Sequence, residues 1–182
     1  MKAILMSIHP KYCDLIAEGK KTIEVRKTRP KINVPFKCYI YCTKPYTGST
    51  EDRFYIYLPP HDTPKQVNGT VIGEFICDDI DTIAVFNDIL YCINNTQANK
   101  LKQMCLTIEE IKAYLGSKNE GFNWHISNLV IYDRPRWLSD FKTIKCINKK
   151  SSCGECKTKP NCIKPITRPP QSWCYVEEVN NE

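Results

Sequence analysis

A helix that stops at a glycine and runs straight into a strand of alternating charged and apolar residues constrains this chain more than any other stretch. Tyr12, Leu15 and Ile16 recur at helical spacing, Pro10 suits the first turn, and Gly19 ends the pattern. The strand after it places Thr22, Glu24 and Arg26 on one face and Ile23 and Val25 on the other. Lys20, Lys21, Glu24, Arg26 and Lys27 are thereby crowded beside one helix end. Such an arrangement suits an anionic or strongly hydrogen-bonding ligand; its bland alternative is the solvated face of an amphipathic strand.

The rest of the chain is read around this unit. Ala3 to Ile8 is apolar throughout and predicts a strand buried on both sides, and Phe36 to Thr43 alternates as a central strand. Turn residues dominate 44–68, interrupted by Phe54 to Leu58, which predicts an inserted strand or hairpin arm. Val71 to Cys77 predicts a strong strand. Glu74 is an acid inside that apolar run, so its carboxylate must face solvent or be held near a cation. Asp78, Asp79 and Asp81 lack a calcium-loop pattern and are read as a turn.

Residues 82–103 show no clear period. Thr107-Ile108-Glu109-Glu110 is a capping box, with Ile108, Ile111, Tyr114 and Leu115 on one helical face and Gly116 at the end. Trp124 to Tyr132 returns to strand, Trp137, Leu138 and Phe141 are expected to pack inward from a short helix, and a final strand begins near Ser172.

A length of 182 residues, with 42% hydrophobic and 25% charged, fits one globular domain over 1–182 with room for insertions. No run of about 18 apolar residues could span a membrane, the first residues are too short for a secretory signal's apolar core, and the expected compartment is the cytoplasm. The net charge of +6 is uneven. Residues 1–50 carry ten Lys and Arg against three acids, and 141–170 carry eight against one, while 51–140 are acidic. Two basic regions of this kind attract phosphate backbones if they lie together.

Of eleven cysteines, most sit in strand-like segments and read as buried, reduced thiols. Cys146, Cys153, Cys156 and Cys162 differ, because they lie in a polar stretch with almost nothing apolar to order it. A structural zinc held by these four would supply the missing energy within an insertion at 142–168. Free thiols in a loop, or a redox pair at Cys153 and Cys156, are the alternatives. A catalytic zinc is not expected, since four thiolates would fill the coordination shell.

Gly19, Lys21, Glu24 and Arg26 form the pattern G-x-K-x-x-E-x-R, which resembles the signature of the ASCH domain of the PUA-like superfamily. Pro169 to Val176 resembles the final strand of longer bacterial and phage members, and Trp124 to Asn128 a further strand of that group. The resemblance implies an α+β fold, a PUA-like mixed β-barrel with peripheral helices, here carrying a Cys-rich insertion. It also implies a cleft in which RNA or a modified nucleotide lies.

In that cleft Lys20, Lys21, Arg26 and Lys27 would meet phosphate or base acceptors and Glu24 would orient Arg26. Trp124 or Trp173 would offer a stacking face, and Ser127, Asn128, Gln171 and Ser172 would read base edges. A rival implication is hydrolysis: some small ASCH proteins deacylate acylated cytidine with a lysine, a strand threonine and a carboxylate. Lys21 matches the lysine, Glu24 stands at the threonine's position, and Glu74 is a candidate carboxylate. Other members resemble nucleases. A third class, a regulatory module that binds a partner protein, is compatible with the long insertions.

Overall fold

The computed structural model describes residues 1–44, 53, 55–57, 64–92, 97–144 and 164–179. The chain begins β1 (Lys2–Ile8), α1 (Pro10–Ala17), β2 (Ile23–Arg26), β3 (Phe36–Cys42), β4 (Tyr55–Tyr57) and β5 (Pro64–Gln66). It continues through β6 (Val71–Cys77), β7 (Ile80–Phe86), β8 (Ile89–Cys92), α2 (Gln97–Met104) and α3 (Ile108–Leu115). It closes with β9 (Glu120–His125), β10 (Ser127–Arg136), β11 (Lys142–Thr143), β12 (Lys164–Pro165) and β13 (Trp173–Glu177). The strands form a seven-stranded sheet in the order β10-β6-β3-β1-β13-β11-β12, a four-stranded sheet β2-β9-β7-β8 and the hairpin β4-β5. The fold is α+β with mixed sheets. Among the described residues no helix is long and apolar enough to cross a membrane.

The residues cluster into two compact units, each assembled from separate segments. Unit one comprises Met1–Pro10, Lys37–Glu74 and Ile131–Glu182. Its spine is β1, which pairs parallel with β3, Ile4 opposite Cys38, and antiparallel with β13, Leu5 opposite Cys174. Neighbours on both edges and packing on both faces explain the unbroken apolar run, and Ala3, Ile4, Leu5 and Met6 are fully buried. Leu5, Tyr39, Phe141 and Val176 anchor the core, the Tyr39 and Phe141 rings meeting edge to face at 4.8 Å.

Glu74 lies buried in this unit. Its Oε1 is 2.9 Å from Lys37 Nζ, and the Tyr132 hydroxyl donates to Oε2 at 2.5 Å. Of the two expectations for an acid inside an apolar strand, the cation is the one realised. Trp137 departs from its expected inward packing and is 69% exposed, because β10 runs on to Arg136 and the short turn after it buries Leu138 and Phe141 instead.

Unit two comprises Lys11–Phe36 and Phe75–Val130. Here β9 is central, antiparallel to β2 with Glu24 opposite Trp124, and to β7 with Asp81 opposite Asn123. Ile23, Val25, Ile83 and Val85 form one apolar face, covered by Met104 of α2 and by Ile111 and Leu115 of α3. The α3 capping box is complete: the Thr107 hydroxyl accepts from Glu110 N–H and the Glu110 carboxylate accepts from Thr107 N–H. The stretch without a clear period is the end of β7 with β8 and α2. The single strand expected from Trp124 to Tyr132 is two, parted at Ile126.

Candidate anion-binding site

The site in unit two is built by the end of α1. Gly19 adopts φ +70°, a left-handed conformation that costs a glycine little, and both Lys20 N–H and Lys21 N–H donate back to Leu15 C=O at 2.9 Å. That wrap directs Lys21 inward. Thr22 is then fastened from both sides, its N–H donating to Gln103 C=O at 3.0 Å and its C=O accepting from Ile126 N–H at 2.9 Å.

Lys21 is 1% exposed. Its Nζ donates to Met104 C=O at 2.5 Å, lies 3.4 Å from Glu24 Oε2, and sits over the Tyr12 ring 5.1 Å from the centroid. Glu24 Oε1 is 2.9 Å from an Arg26 guanidinium nitrogen, and both residues are more than nine-tenths buried. Two cations therefore share one carboxylate in a desolvated place. A buried charge is expensive unless compensated, so the shared carboxylate is what holds both cations in place.

The rim is wet and basic. Lys20 pairs with Glu18 at 2.6 Å, Lys11 with Glu110 at 3.4 Å, and Lys27 lies 5.2 Å from the Tyr114 ring centroid. Tyr12 borders the cluster; burial, with Glu110 behind it, raises its hydroxyl above the ordinary phenol value. Residues 11–36 carry seven Lys and Arg against three acids, so a phosphate approaching this edge meets an attractive field.

A second buried cluster in the same unit goes beyond the sequence reading. Asp81, read as a turn residue, is in β7, where it pairs with Lys100 of α2; Lys100 Nζ is also 3.0 Å from His125 Nε2. Burial alone would raise the Asp81 carboxyl, but hydrogen bonds from His125 and Lys100 outweigh it and hold the group below its ordinary value. Asp79, Asp81 and His125 bring potential ligand atoms within 4.8 Å of one another. Lys100 already occupies the carboxylate and imidazole that face it. The signal in the sequence is the alternation of Asp81, Ile83 and Val85, which sets the acid on the same face as two core residues.

The other expected site residues are dispersed. Trp124 is fully buried, edge-on to Phe36 with ring centroids 5.6 Å apart, so it offers no stacking face. Ser127 donates its hydroxyl to Ile76 C=O at 2.9 Å, and Asn128 is exposed in a left-handed conformation at φ +46°. Gln171, Ser172 and Trp173 belong to unit one, as does Glu74; Ser172 C=O accepts from Ser7 N–H, and Trp173 meets Tyr175 edge to face. Cys146, Cys153, Cys156 and Cys162 lie outside the described residues. The seven described cysteines are free thiols, and burial pushes Cys77 up to about 12, with Asp78 and Asp79 adding to the rise.

A sequence profile described as the ASCH domain matches residues 6–130. Among solved structures, the chain is similar to an ASCH protein from Zymomonas mobilis at 17% identity and a TM-score of 0.58, covering 97% of this chain and 88% of that one. Two single-substitution variants of the Zymomonas mobilis protein are similar too. The one with tyrosine replaced by phenylalanine matches at 17% identity and a TM-score of 0.58, over 98% of this chain and 92% of that one. The one with serine replaced by alanine gives 17% identity and a TM-score of 0.54, over 97% and 89%. No curated protein matches the sequence. At this identity the likeness is one of fold.

Proposed function

Because the chain belongs to the ASCH domain family, we propose that it binds RNA or a modified nucleotide, with a phosphate or base acceptor drawn to the Lys21–Glu24–Arg26 cluster. The supporting observation is the sharing of one carboxylate by two buried cations. Glu24 orients Arg26, whose planar guanidinium suits two-pronged recognition of an oxyanion. Lys20 and Lys27 at the rim add distributed phosphate contacts, which position a strand without reading its sequence.

Lys21 favours binding over hydrolysis in this reading. Its Nζ is buried and directed at Met104 C=O, Glu24 and the Tyr12 ring, not at an open face where a substrate would lie. The test is RNA affinity measured across a range of salt, for the full chain and for Arg26→Met. Arg26→Met keeps Glu24 neutralised by Lys21 and is expected to weaken binding about tenfold or more, with a shallower salt dependence. Unchanged affinity would sink the reading. Incubation with acylated cytidine runs beside it: deacylation that vanishes in Lys21→Ala would make the protein an amide hydrolase instead.

For Cys146, Cys153, Cys156 and Cys162 we propose a structural zinc. Purified protein should then carry stoichiometric zinc, released by chelation together with four titratable thiols.

A further inference from the structure

Unit one contains a groove of about 870 Å³, within the range of small-ligand pockets. Its walls include Tyr41 near the end of β3, Lys44 after it, Gly69 in the turn before β6, Trp137 after β10, and Gln171 before β13. Trp137 and Gln171 lie beyond the 6–130 match, so the groove is completed by residues C-terminal to the family domain. We propose that it is a second nucleotide site, in which an unpaired base stacks on Trp137 and its phosphate meets Lys44.

Trp137 is 69% exposed while its backbone is fixed, its N–H donating to Asp140 Oδ2 at 3.0 Å. An indole presented from a pinned backbone at a cavity edge is a preformed stacking platform. Lys44 is placed with equal care. Gly69, at φ +86°, has no side chain, and a Cβ there would come within 2.9 Å of Lys44 Cε. Gly69 N–H donates to Cys42 C=O at 2.7 Å and Asn68 Nδ2 to Thr43 C=O at 3.0 Å, so the turn and the lysine stem rest on one another.

Lys44 is the one charged side chain among the described residues of the lining, and no acid accompanies it there. Tyr41 is only 3% exposed, yet it lines the groove, and burial raises its hydroxyl above the ordinary phenol value. A flat aromatic platform, a phenol in the wall, an exposed carboxamide at Gln171 and a single cation match the parts of a nucleotide: ring face, base edge and phosphate.

The groove's assignment to RNA rests on the reading of the family cluster, but its assignment to a nucleotide does not. The probes are adenosine monophosphate and a single-stranded RNA of about six nucleotides, within the usual site size for one stacking surface. Trp124 is buried and Trp173 partly buried, so ligand-dependent quenching of intrinsic fluorescence should come chiefly from Trp137. Both probes are expected to quench it. Trp137→Phe should keep the RNA affinity and lose most of the quench, while Trp137→Ala should lose about tenfold in affinity.

Arg26→Met should weaken RNA and leave quenching by the mononucleotide intact, which separates this site from the cluster. If the mononucleotide quenches while the RNA fails to bind, the groove stands as a nucleotide site and the RNA reading falls. If neither probe quenches and Trp137→Ala leaves RNA affinity unchanged, the proposal is overturned. It is overturned equally if Trp137→Ala alters only self-association in sedimentation, which would make the indole a protein contact.

Discussion

The Lys21–Glu24–Arg26 cluster and the Lys100–Asp81–His125 cluster are both buried in unit two, yet their charges are set differently. The first has two cations for one carboxylate; the second has one cation for one carboxylate, with the His125 Nε2 3.0 Å from the ammonium. The balanced cluster links α2 to β7 and β9, and its charges cancel within it. Its unbalanced counterpart sits where the family signature falls and has exposed lysines around it. Burial is therefore no guide by itself to function, since both sets are desolvated. Charge stoichiometry distinguishes them. Glu74 in unit one departs the other way, since Lys37 serves both Glu74 at 2.9 Å and Glu178 at 3.7 Å while Tyr132 donates to Glu74.

Removing the shared carboxylate is the most severe way to break this comparison. Glu24→Gln leaves Lys21 and Arg26 buried without the carboxylate they share, and breaking a buried pair from one side costs about 3–5 kcal/mol. Urea denaturation at neutral pH should show that loss. A polyanion that binds the cluster should return part of it, because a ligand selective for the folded state raises stability by mass action. Recovery by anion in the wild type but none in Glu24→Gln would contradict the charge argument.

Asp81→Asn is the matching cut in the balanced cluster. The new amide oxygen still accepts from Lys100, so the expected cost is smaller, about 2 kcal/mol at pH 7. Its pH dependence carries the sharper prediction. The folded carboxyl lies below its unfolded value of 3.8, so its contribution is complete above that value and disappears as pH falls through the folded one. The stability gap between wild type and Asp81→Asn should be full at neutral pH and close in acid below 3.8. Added RNA should leave the gap unaltered.

A polar contact in neither cluster supplies the scale. Thr107→Ala removes the α3 cap and should cost about 1 kcal/mol, read from the same denaturation curves. It should leave RNA affinity as it is. A cap loss that exceeded the Asp81→Asn loss would mean that the balanced cluster adds little to stability.

How much the sequence discloses depends on how far apart the determining residues are. The Thr107–Glu110 box, the Gly19 stop and the buried run of β1 depend on neighbours within a turn or a strand, and each is legible. Glu24 and Arg26 are legible as a motif, but alternation alone does not show that Met104, 83 residues from Lys21, closes over the lysine. Asp81 looks like part of an acidic turn until Lys100 and His125 arrive from two other elements. Trp137 invites burial by its size, and only the run of β10 to Arg136 sets the indole outside. Two acids with similar sequence surroundings, Asp79 exposed and Asp81 buried, are separated by where β7 begins, since Asp79 precedes the strand and Asp81 is inside it.

The mildest change tests whether the rim belongs to the unbalanced cluster. Lys20 is exposed, and its partner Glu18 at 2.6 Å is exposed as well. An exposed ion pair gains little because water screens it and two long side chains must be ordered, so Lys20→Ala should leave the denaturation midpoint where it is. RNA binding responds to a different property. A phosphate that displaces Glu18 from Lys20 releases a condensed counterion, so losing that contact should lower the slope of log affinity against log salt by about 0.7 for a single strand. Affinity should fall slightly and uniformly across RNA sequences, since a phosphate contact reads no base. A slope identical to wild type, with Arg26→Met still impaired, would confine recognition to the buried cations and make the surrounding lysines solvated surface.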